Sequence, residues 1–550
     1  MRTLNLTGSS LCCADLERVA REPVSITTSP ETIVRCEQSY RMLQKLLSER
    51  RPIYGVTTGF GDNVDVGIDP TEAADLQHRL VRFHGVGIGA PLERGETRAV
   101  VLARLNTLLC GFSGVSPSLL EKLQIMVNED LLPVIPALGS VGASGDLTPL
   151  SYLAAALVGE RDVWWRGKRV SAAQAWSELG TAPHRFEAKE ALAVMNGSSV
   201  MAAIAAIGLV RLRRCIAMAE VLTATAVAAL AGRTGAFQPA AHRLKPHPGQ
   251  RVAAQRIWDL LSVGDGQVSG GEGAGAHNTD AQEWPVNRAL PDRAALSEDR
   301  LPFRLQAVYS IRCAPQVLGA ARDACATADQ WLTTELNSSN DNPLFDPSTG
   351  DVYSTGHFCG NHMVLAADLM RNAAATVAEL VDRQCLLLLD PRRGGMPANL
   401  APPGDLRRHG LKAVGIAMSA LAAEIAHLAA PVAPHSRPTE SMNQDIVSMG
   451  TISARRLSDS AALLERMAAM QMIVVSNALA RAEERTSVAP DGVGKGIHTL
   501  CAEIRRWSPP LLDDRELDHE IEALAQAVRS GKLDPLMSDA PRVPEDQSTT

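Results

Sequence analysis

Aromatic residues are scarce in this chain: five tyrosines, eight phenylalanines and seven tryptophans stand among 550 residues. Strands draw on aromatic and β-branched side chains, so a sequence poor in rings and rich in alanine and leucine is directed towards packed helices. A basic excess is missing too. With 54 Lys and Arg against 61 Asp and Glu the net charge is −7, which leaves no footprint for nucleic acid or an anionic membrane. Apolar runs stop well short of the roughly 18 residues of a membrane span; the longest, Val200–Val210 and Val221–Ala231, read as buried helix. The opening MRTLNLTGSS has no apolar signal core, so a cytoplasmic protein is expected. Ten scattered cysteines form no zinc-type double pair, and the adjacent Cys12 and Cys13 are ill-placed for a bridge, so reduced, buried thiols are expected. His357, Cys359 and His362 lack a second pair at zinc spacing, and no metal is expected there. What remains, 45% apolar and 21% charged, is the composition of an ordinary globular protein.

Length alone allows three or four domains of about 150 residues. The pattern divides the chain otherwise. Residues 1–190 mix helices with glycine-punctuated loops at Thr57–Gly61, His84–Gly89 and Gly139–Asp146. Residues 191–485 read as long helices. Leu457, Ala461, Leu464, Ala468, Val475 and Leu479 share one helical face, and Met363–Leu389 is helical up to Asp390-Pro391. Residues 486–550 read as a helical tail packed on that bundle, and Gly264–Gly275 as a mobile surface loop. The predicted class is mainly α: a long-helix bundle with a smaller mixed N-terminal region.

The sharpest local signal is Ala143-Ser144-Gly145, set in LLPVIPALGSVGASGDLTPLSYLA. No Lys-Ser/Thr follows, so it is not a phosphate loop, and Gly85–Gly89 does not fit dinucleotide spacing; no nucleotide is expected. The surrounding text resembles the prosthetic-group loop of the aromatic amino acid ammonia-lyase and aminomutase family, which includes the histidine, phenylalanine and tyrosine ammonia-lyases. Further segments fit in family order. They are Tyr54–Gly61, Lys189–Leu192 leading to Met195-Asn196-Gly197, Tyr309–Arg312, Glu335–Pro343 and Asn443–Gly450. The resemblance implies the architecture of the L-aspartase/fumarase superfamily and a homotetramer whose sites draw loops from three subunits.

It also implies a cofactor made from the chain. In this family Ala-Ser-Gly cyclises and loses water to give methylidene-imidazolone, whose exocyclic carbon is an electrophile that no ordinary side chain provides. Ala143, Ser144 and Gly145 are the residues that would form it. The resemblance assigns Tyr54 as the base that removes a β-proton, a task a phenol performs only as its phenolate. It assigns Arg312 to the substrate carboxylate, which a guanidinium grips bidentately, and Tyr309, three residues away on the same helical face, to the amine and the prosthetic group. Asn196, Gln444 and Phe358 match contacts to the prosthetic group or substrate, and Glu424 an acidic residue near the amine. Each has a plainer role open to it: a turn tyrosine, a surface Tyr–Arg pair, a turn Asn-Gly, a capping amide, a buried helical glutamate. Gly356-His357-Phe358-Cys359-Gly360 departs from the family's Gly-Asn-Phe-His-Gly, and Gln306-Ala307 lacks the usual acidic residue after Gln.

Specificity in the family tracks a dipeptide that here reads Phe83-His84, a hybrid of the phenylalanine, tyrosine and histidine patterns. An idle polar group beside a phenyl ring costs roughly 1–3 kcal/mol, which argues against phenylalanine. Val56-Thr57-Thr58 and Pro149–Tyr152 lean away from the histidine branch. The expected substrate is therefore tyrosine first, then histidine or phenylalanine, and the product the unsaturated acid. Two alternatives remain: a 2,3-aminomutase returning the amine to the β-carbon, and a binding protein on an enzyme fold with a dead site.

Overall fold

Helices in the first 190 residues are short because their boundary signals lie close together. Ser29 caps helix Pro30–Ser48 by accepting from the Thr32 N–H at 3.3 Å, and Ser116 caps Pro117–Asn128 through the Leu119 N–H at 3.2 Å. In both, proline occupies the first turn, where its missing N–H leaves no bond unmade. The computed structural model describes residues 3–230, 232, 234–261, 306–394, 396–486 and 495–538; the glycine-rich 264–275 stretch lies outside them.

Sheets are small. Thr3–Leu6 pairs in parallel with Ser25–Thr28, and Ile88–Pro91 pairs antiparallel with Pro136–Leu138. Asp162–Trp165 lies between Leu132–Pro133 and Lys168–Ser171, and Leu344–Asp346 forms a hairpin with Asp351–Tyr353. The rest is mainly helical, with Ser199–Ala229, Ala314–Leu336, Asn361–Leu389 and Gly450–Thr486 the longest helices among the described residues. The predicted helix ends at Leu389 as expected but begins at Asn361, two residues earlier than its apolar pattern. Pro315 sits in the first turn of Ala314–Leu336. The face from Leu457 to Leu479 is buried throughout. The first apolar run and the second as far as Ala229 fall within Ser199–Ala229, separated by Arg211, Arg213 and Arg214, and no described helix is long and apolar enough to cross a membrane. The cysteines are more varied than expected. All ten are free, but Cys12 and Cys359 are exposed and Cys110 and Cys313 half-buried, because each sits in or next to a loop or helix end.

The chain forms two compact units, each from three separated segments. The first comprises Met1–Val210, Thr327–Met370 and Ala430–Asp459; the second comprises Arg211–Ala326, Arg371–Ala429 and Ser460–Thr550. Residues 1–190 thus lie wholly in the first unit, and 191–485 are shared between the two. The described part of 486–550 belongs to the second unit as helices Lys495–Trp507, Asp518–Arg529 and Asp534–Ser538.

Helix Arg94–Leu108 is buried from Thr97 onward and packs against Cys13–Arg21 and Pro117–Asn128, forming the core of the first unit. In the second unit Gln384 ties three helices together. Its Nε2 donates to Thr223 Oγ1 and to the Ser310 carbonyl, both at 2.9 Å, and its Oε1 accepts from Gln471 Nε2 at 2.8 Å. Arg211 meets Glu465 through two bonds of 2.7 and 2.9 Å.

Candidate active site

The first unit contains a cleft of about 710 Å³ on which Tyr54, Phe83, His84, Ser144, Asn196, Phe358 and Gln444 converge. Three glycines shape the loop that presents Ser144. Gly139, Gly142 and Gly145 take positive φ values of 123°, 75° and 78°, and Ser144 itself adopts φ 53°, a region that side chains seldom enter. A Cβ on Gly142 would overlap Ser448, and one on Gly145 would overlap the backbone of Gly197. The loop is therefore compressed between two other segments. Gly145 bridges Gly197, the Asp146 N–H donates to the Gly197 carbonyl at 2.8 Å, and the Met449 N–H donates to the Val141 carbonyl at 2.9 Å. Ala143 and Val141 pack on Val364, Val432, Val447 and Met449.

Polar contacts close on Ser144 from two sides. Asn196, at the C-terminal end of helix Glu190–Met195, donates from Nδ2 to the Ser144 carbonyl at 2.8 Å. Gln444 Nε2 donates to Ser144 Oγ at 3.3 Å, and its own Oε1 accepts from Thr439 Oγ1 at 2.7 Å, which fixes the amide orientation. Asp146, wholly buried, accepts from the N–H groups of Val200 and Met201 at 3.0 and 2.9 Å and from Thr451 Oγ1. Burial pushes its carboxyl up to about 6. The loop is anchored directly behind the tripeptide.

Tyr54 is held in its own glycine loop. The Gly61 N–H donates to Tyr54 Oη at 2.9 Å. Burial pushes the phenol above its ordinary value; the Gly61 N–H opposes the rise and the Glu440 carboxylate adds to it. Glu440 was not legible as a site residue from the Tyr54 loop, and it stands three residues before the Asn443–Gly450 segment that the sequence singled out. It accepts from the Asp62 N–H at 3.2 Å and from Asn443 Nδ2 at 3.1 Å, and lines the cleft. Asp146 likewise was missed, though it directly follows the tripeptide.

Phe83, also lining the cleft, closes helix Ala73–Phe83 and is 59% exposed, its ring 4.2 Å from that of His84. Burial lowers His84 to about 4, so its imidazole is neutral at pH 7 and offers one donor and one acceptor. Its carbonyl accepts from Ser151 Oγ at 3.2 Å. Phe358 lines the cleft, while His357, Cys359 and His362 are exposed and His362 packs edge-on against Trp331.

The remaining expected residues belong to the second unit. Tyr309 and Arg312 form one short helical turn, and the guanidinium lies over the phenol ring, 4.6 Å from its centroid. The shared face is as the spacing requires. Tyr309 is 71% exposed, and Arg312 Nε is buried without a hydrogen-bond partner. Glu424, on helix Lys412–Leu428, is exposed rather than buried.

A sequence profile described as aromatic amino acid lyase matches residues 11–506. The chain belongs to the aromatic amino acid lyase family. The enzyme is thus a carbon–nitrogen lyase of the methylidene-imidazolone type, as its motifs anticipated. It is 32% identical to a histidine ammonia-lyase from Alkaliphilus metalliredigens, over 97% of this chain and 98% of that one. It superimposes on a tyrosine aminomutase from Streptomyces globisporus with a TM-score of 0.88 and 31% identity, covering 98% of this chain and 99% of that one. A histidine ammonia-lyase from Trypanosoma cruzi matches with a TM-score of 0.84 and 27% identity over the whole of both chains. The mainly helical architecture expected from composition is the fold these enzymes share.

Proposed function

We propose that the enzyme eliminates ammonia from L-histidine to give the trans-unsaturated acid, with an electrophile formed from Ala143, Ser144 and Gly145. The carrying observation is the convergence of Tyr54, Ser144, Asn196 and Gln444 on one cleft. The tripeptide fits the group it is expected to form: the space beside Gly142 and Gly145 admits no side chain, and donors already face the Ser144 carbonyl and hydroxyl. When formed, the methylidene carbon supplies an acceptor for the substrate amine.

Every other part falls to ordinary side chains. Tyr54 takes the β-proton, and a positive charge entering the cleft, such as the substrate ammonium, favours its phenolate. Asn196 holds the Ser144 carbonyl, and Gln444, which donates to Ser144 Oγ before that oxygen is lost, stands beside the carbon it leaves. Arg312 takes the carboxylate, Tyr309 steadies the amine, and Phe358 and Phe83 flank the ring. Glu440, already in the cleft, joins Glu424 as an acidic candidate for the amine. His84 is the polar group for the substrate ring. A neutral imidazole satisfies another imidazole as readily as a phenol, so the dipeptide alone does not favour tyrosine. Full-length similarity to histidine ammonia-lyases then reverses the order expected from Phe83-His84.

A second reading, a 2,3-aminomutase acting on tyrosine, is favoured by the close superposition on an enzyme of that name. Incubation with L-histidine, L-tyrosine and L-phenylalanine, assaying ammonia, unsaturated acid and β-amino acid, decides between them. Urocanate and ammonia from histidine alone supports the first reading; a β-amino acid from tyrosine as main product replaces it with the second. No product from any of the three overturns both. Ser144→Ala with full activity would remove the tripeptide from the chemistry. The proposal includes a homotetramer, supported by apolar side chains left bare at the cleft rim: Val64, Phe83 and Ile446 are 48%, 59% and 70% exposed. Light scattering reads this directly.

A further inference from the structure

Arg104 lies on helix Arg94–Leu108 with no exposed surface at all, yet none of its hydrogen-bond partners is a carboxylate. Nε donates to the Ala193 carbonyl at 3.0 Å, Nη2 to the Asn196 carbonyl at 3.0 Å and also to that of Ala193, and Nη1 to Asn340 Oδ1 at 2.7 Å. Burying a cation among neutral acceptors is costly, and burial lowers this guanidinium to about 10, still charged at neutral pH. What the side chain provides in return is a rigid fork that joins three oxygens at fixed angles. Two of them end helix Glu190–Met195, where carbonyls lack helical partners and the dipole is negative.

The segment so gripped faces the tripeptide. Asn196 Nδ2 holds the Ser144 carbonyl, and Gly197 lies flat on Gly145. Gly197 has no room for a side chain because Arg104 and Asn340 stand behind it. The Ser144 carbonyl and the Gly145 nitrogen share one peptide plane, so fixing the oxygen also orients the nitrogen. That nitrogen is the group that must close the ring. It bonds to the Ala143 carbonyl carbon; the Ala143 oxygen leaves as water with the Gly145 and Ser144 amide protons. A second water takes Ser144 Oγ with its proton and the Ser144 α-proton, and no electrons are gained or lost.

We propose that Arg104 is a positioning residue for this loop, setting Asn196 and Gly197 against Ser144 and Gly145 so that the tripeptide closes. The inference rests on the reading of Ala143-Ser144-Gly145 given above. It is tested on the purified full-length protein by mass spectrometry of a proteolytic peptide containing the tripeptide, alongside circular dichroism, thermal unfolding, kcat and KM. The wild-type peptide is expected to lack two waters. In Arg104→Gln, folded by circular dichroism, most of the peptide should keep the unmodified mass, and kcat should fall about tenfold or more with KM little changed. Arg104→Lys keeps the charge but loses the fork, and should show the same defect.

A full two-water deficit in either variant overturns the proposal. Should Arg104→Gln not fold, Arg104→Lys carries the test, and complete ring closure in it overturns the proposal. A wild-type peptide without the deficit would instead overturn the reading of the tripeptide, whatever the Arg104 variants do.

Discussion

The Gly61 N–H donates to Tyr54 Oη at 2.9 Å while the Glu440 carboxylate accepts from the next N–H, that of Asp62, at 3.2 Å. One turn of backbone thus serves both a phenol and an acid. Tyr54→Phe removes the proposed base and is expected to lower kcat by roughly 10²–10⁴-fold. Glu440→Gln acts in the other direction on the titration. The Glu440 charge contributes to raising Tyr54, so its removal lowers the pKa of the phenol. Activity that requires phenolate should then begin at lower pH, and the acid limb of the kcat/KM–pH profile should move down. An unmoved limb would separate Glu440 from the base.

Gly61 itself is constrained twice, by φ 57° and by the Glu440 carboxylate, which a Cβ would overlap. Gly61→Ala should displace Glu440 and lengthen the bond to Tyr54. A shift of that kind costs about 10²-fold in kcat/KM, with a stability loss of about 1–3 kcal/mol from the unfavourable φ. Steady-state kinetics and thermal unfolding read the two effects separately.

Much of this site was legible from sequence because its residues come in short contiguous motifs. Ser144, Asn196 and Gln444 line the same cleft, and Tyr309 and Arg312 stack as their three-residue spacing demands. The helix boundary at Leu389 followed from Pro391, a local signal. What was not legible depends on distance along the chain. Nothing near Arg104 in sequence announces Ala193, Asn196 or Asn340, and Glu440 gains its meaning only from Gly61. Burial was also misjudged for Cys12 and Cys359, since an apolar neighbourhood in sequence does not fix which way a helix or loop faces.

His84 is neutral near pH 7 because burial holds it at about 4. His84 itself should therefore not titrate between about pH 5.5 and 8, and any change in ring recognition there belongs to the imidazole of a histidine substrate, with tyrosine and phenylalanine showing none. His84→Leu strands the polar atoms of a histidine or tyrosine ring, at roughly 1–3 kcal/mol. Relative kcat/KM should swing towards phenylalanine by roughly 5- to 150-fold. Competition between paired substrates measures this ratio, and an unchanged ratio would remove His84 from specificity.

In the second unit, Gln384 supports the Tyr309–Arg312 turn through the Ser310 carbonyl. Gln384→Leu leaves that carbonyl and the Gln471 amide without their buried partner, at about 1–3 kcal/mol for each group. A lower unfolding temperature is expected, together with a raised KM as Arg312 loses its setting. A fall in stability with unchanged KM would confine Gln384 to structure.

The contact between Gln444 and Ser144 spans 300 residues, and that between Arg104 and Asn340 spans 236. A chain still on the ribosome, with its third segment unsynthesised, therefore lacks the Gln444 contact to the tripeptide. On the ring closure proposed above, the electrophile would form only after translation has passed the first unit, sparing the nascent polypeptide a reactive carbon among its own amines and thiols.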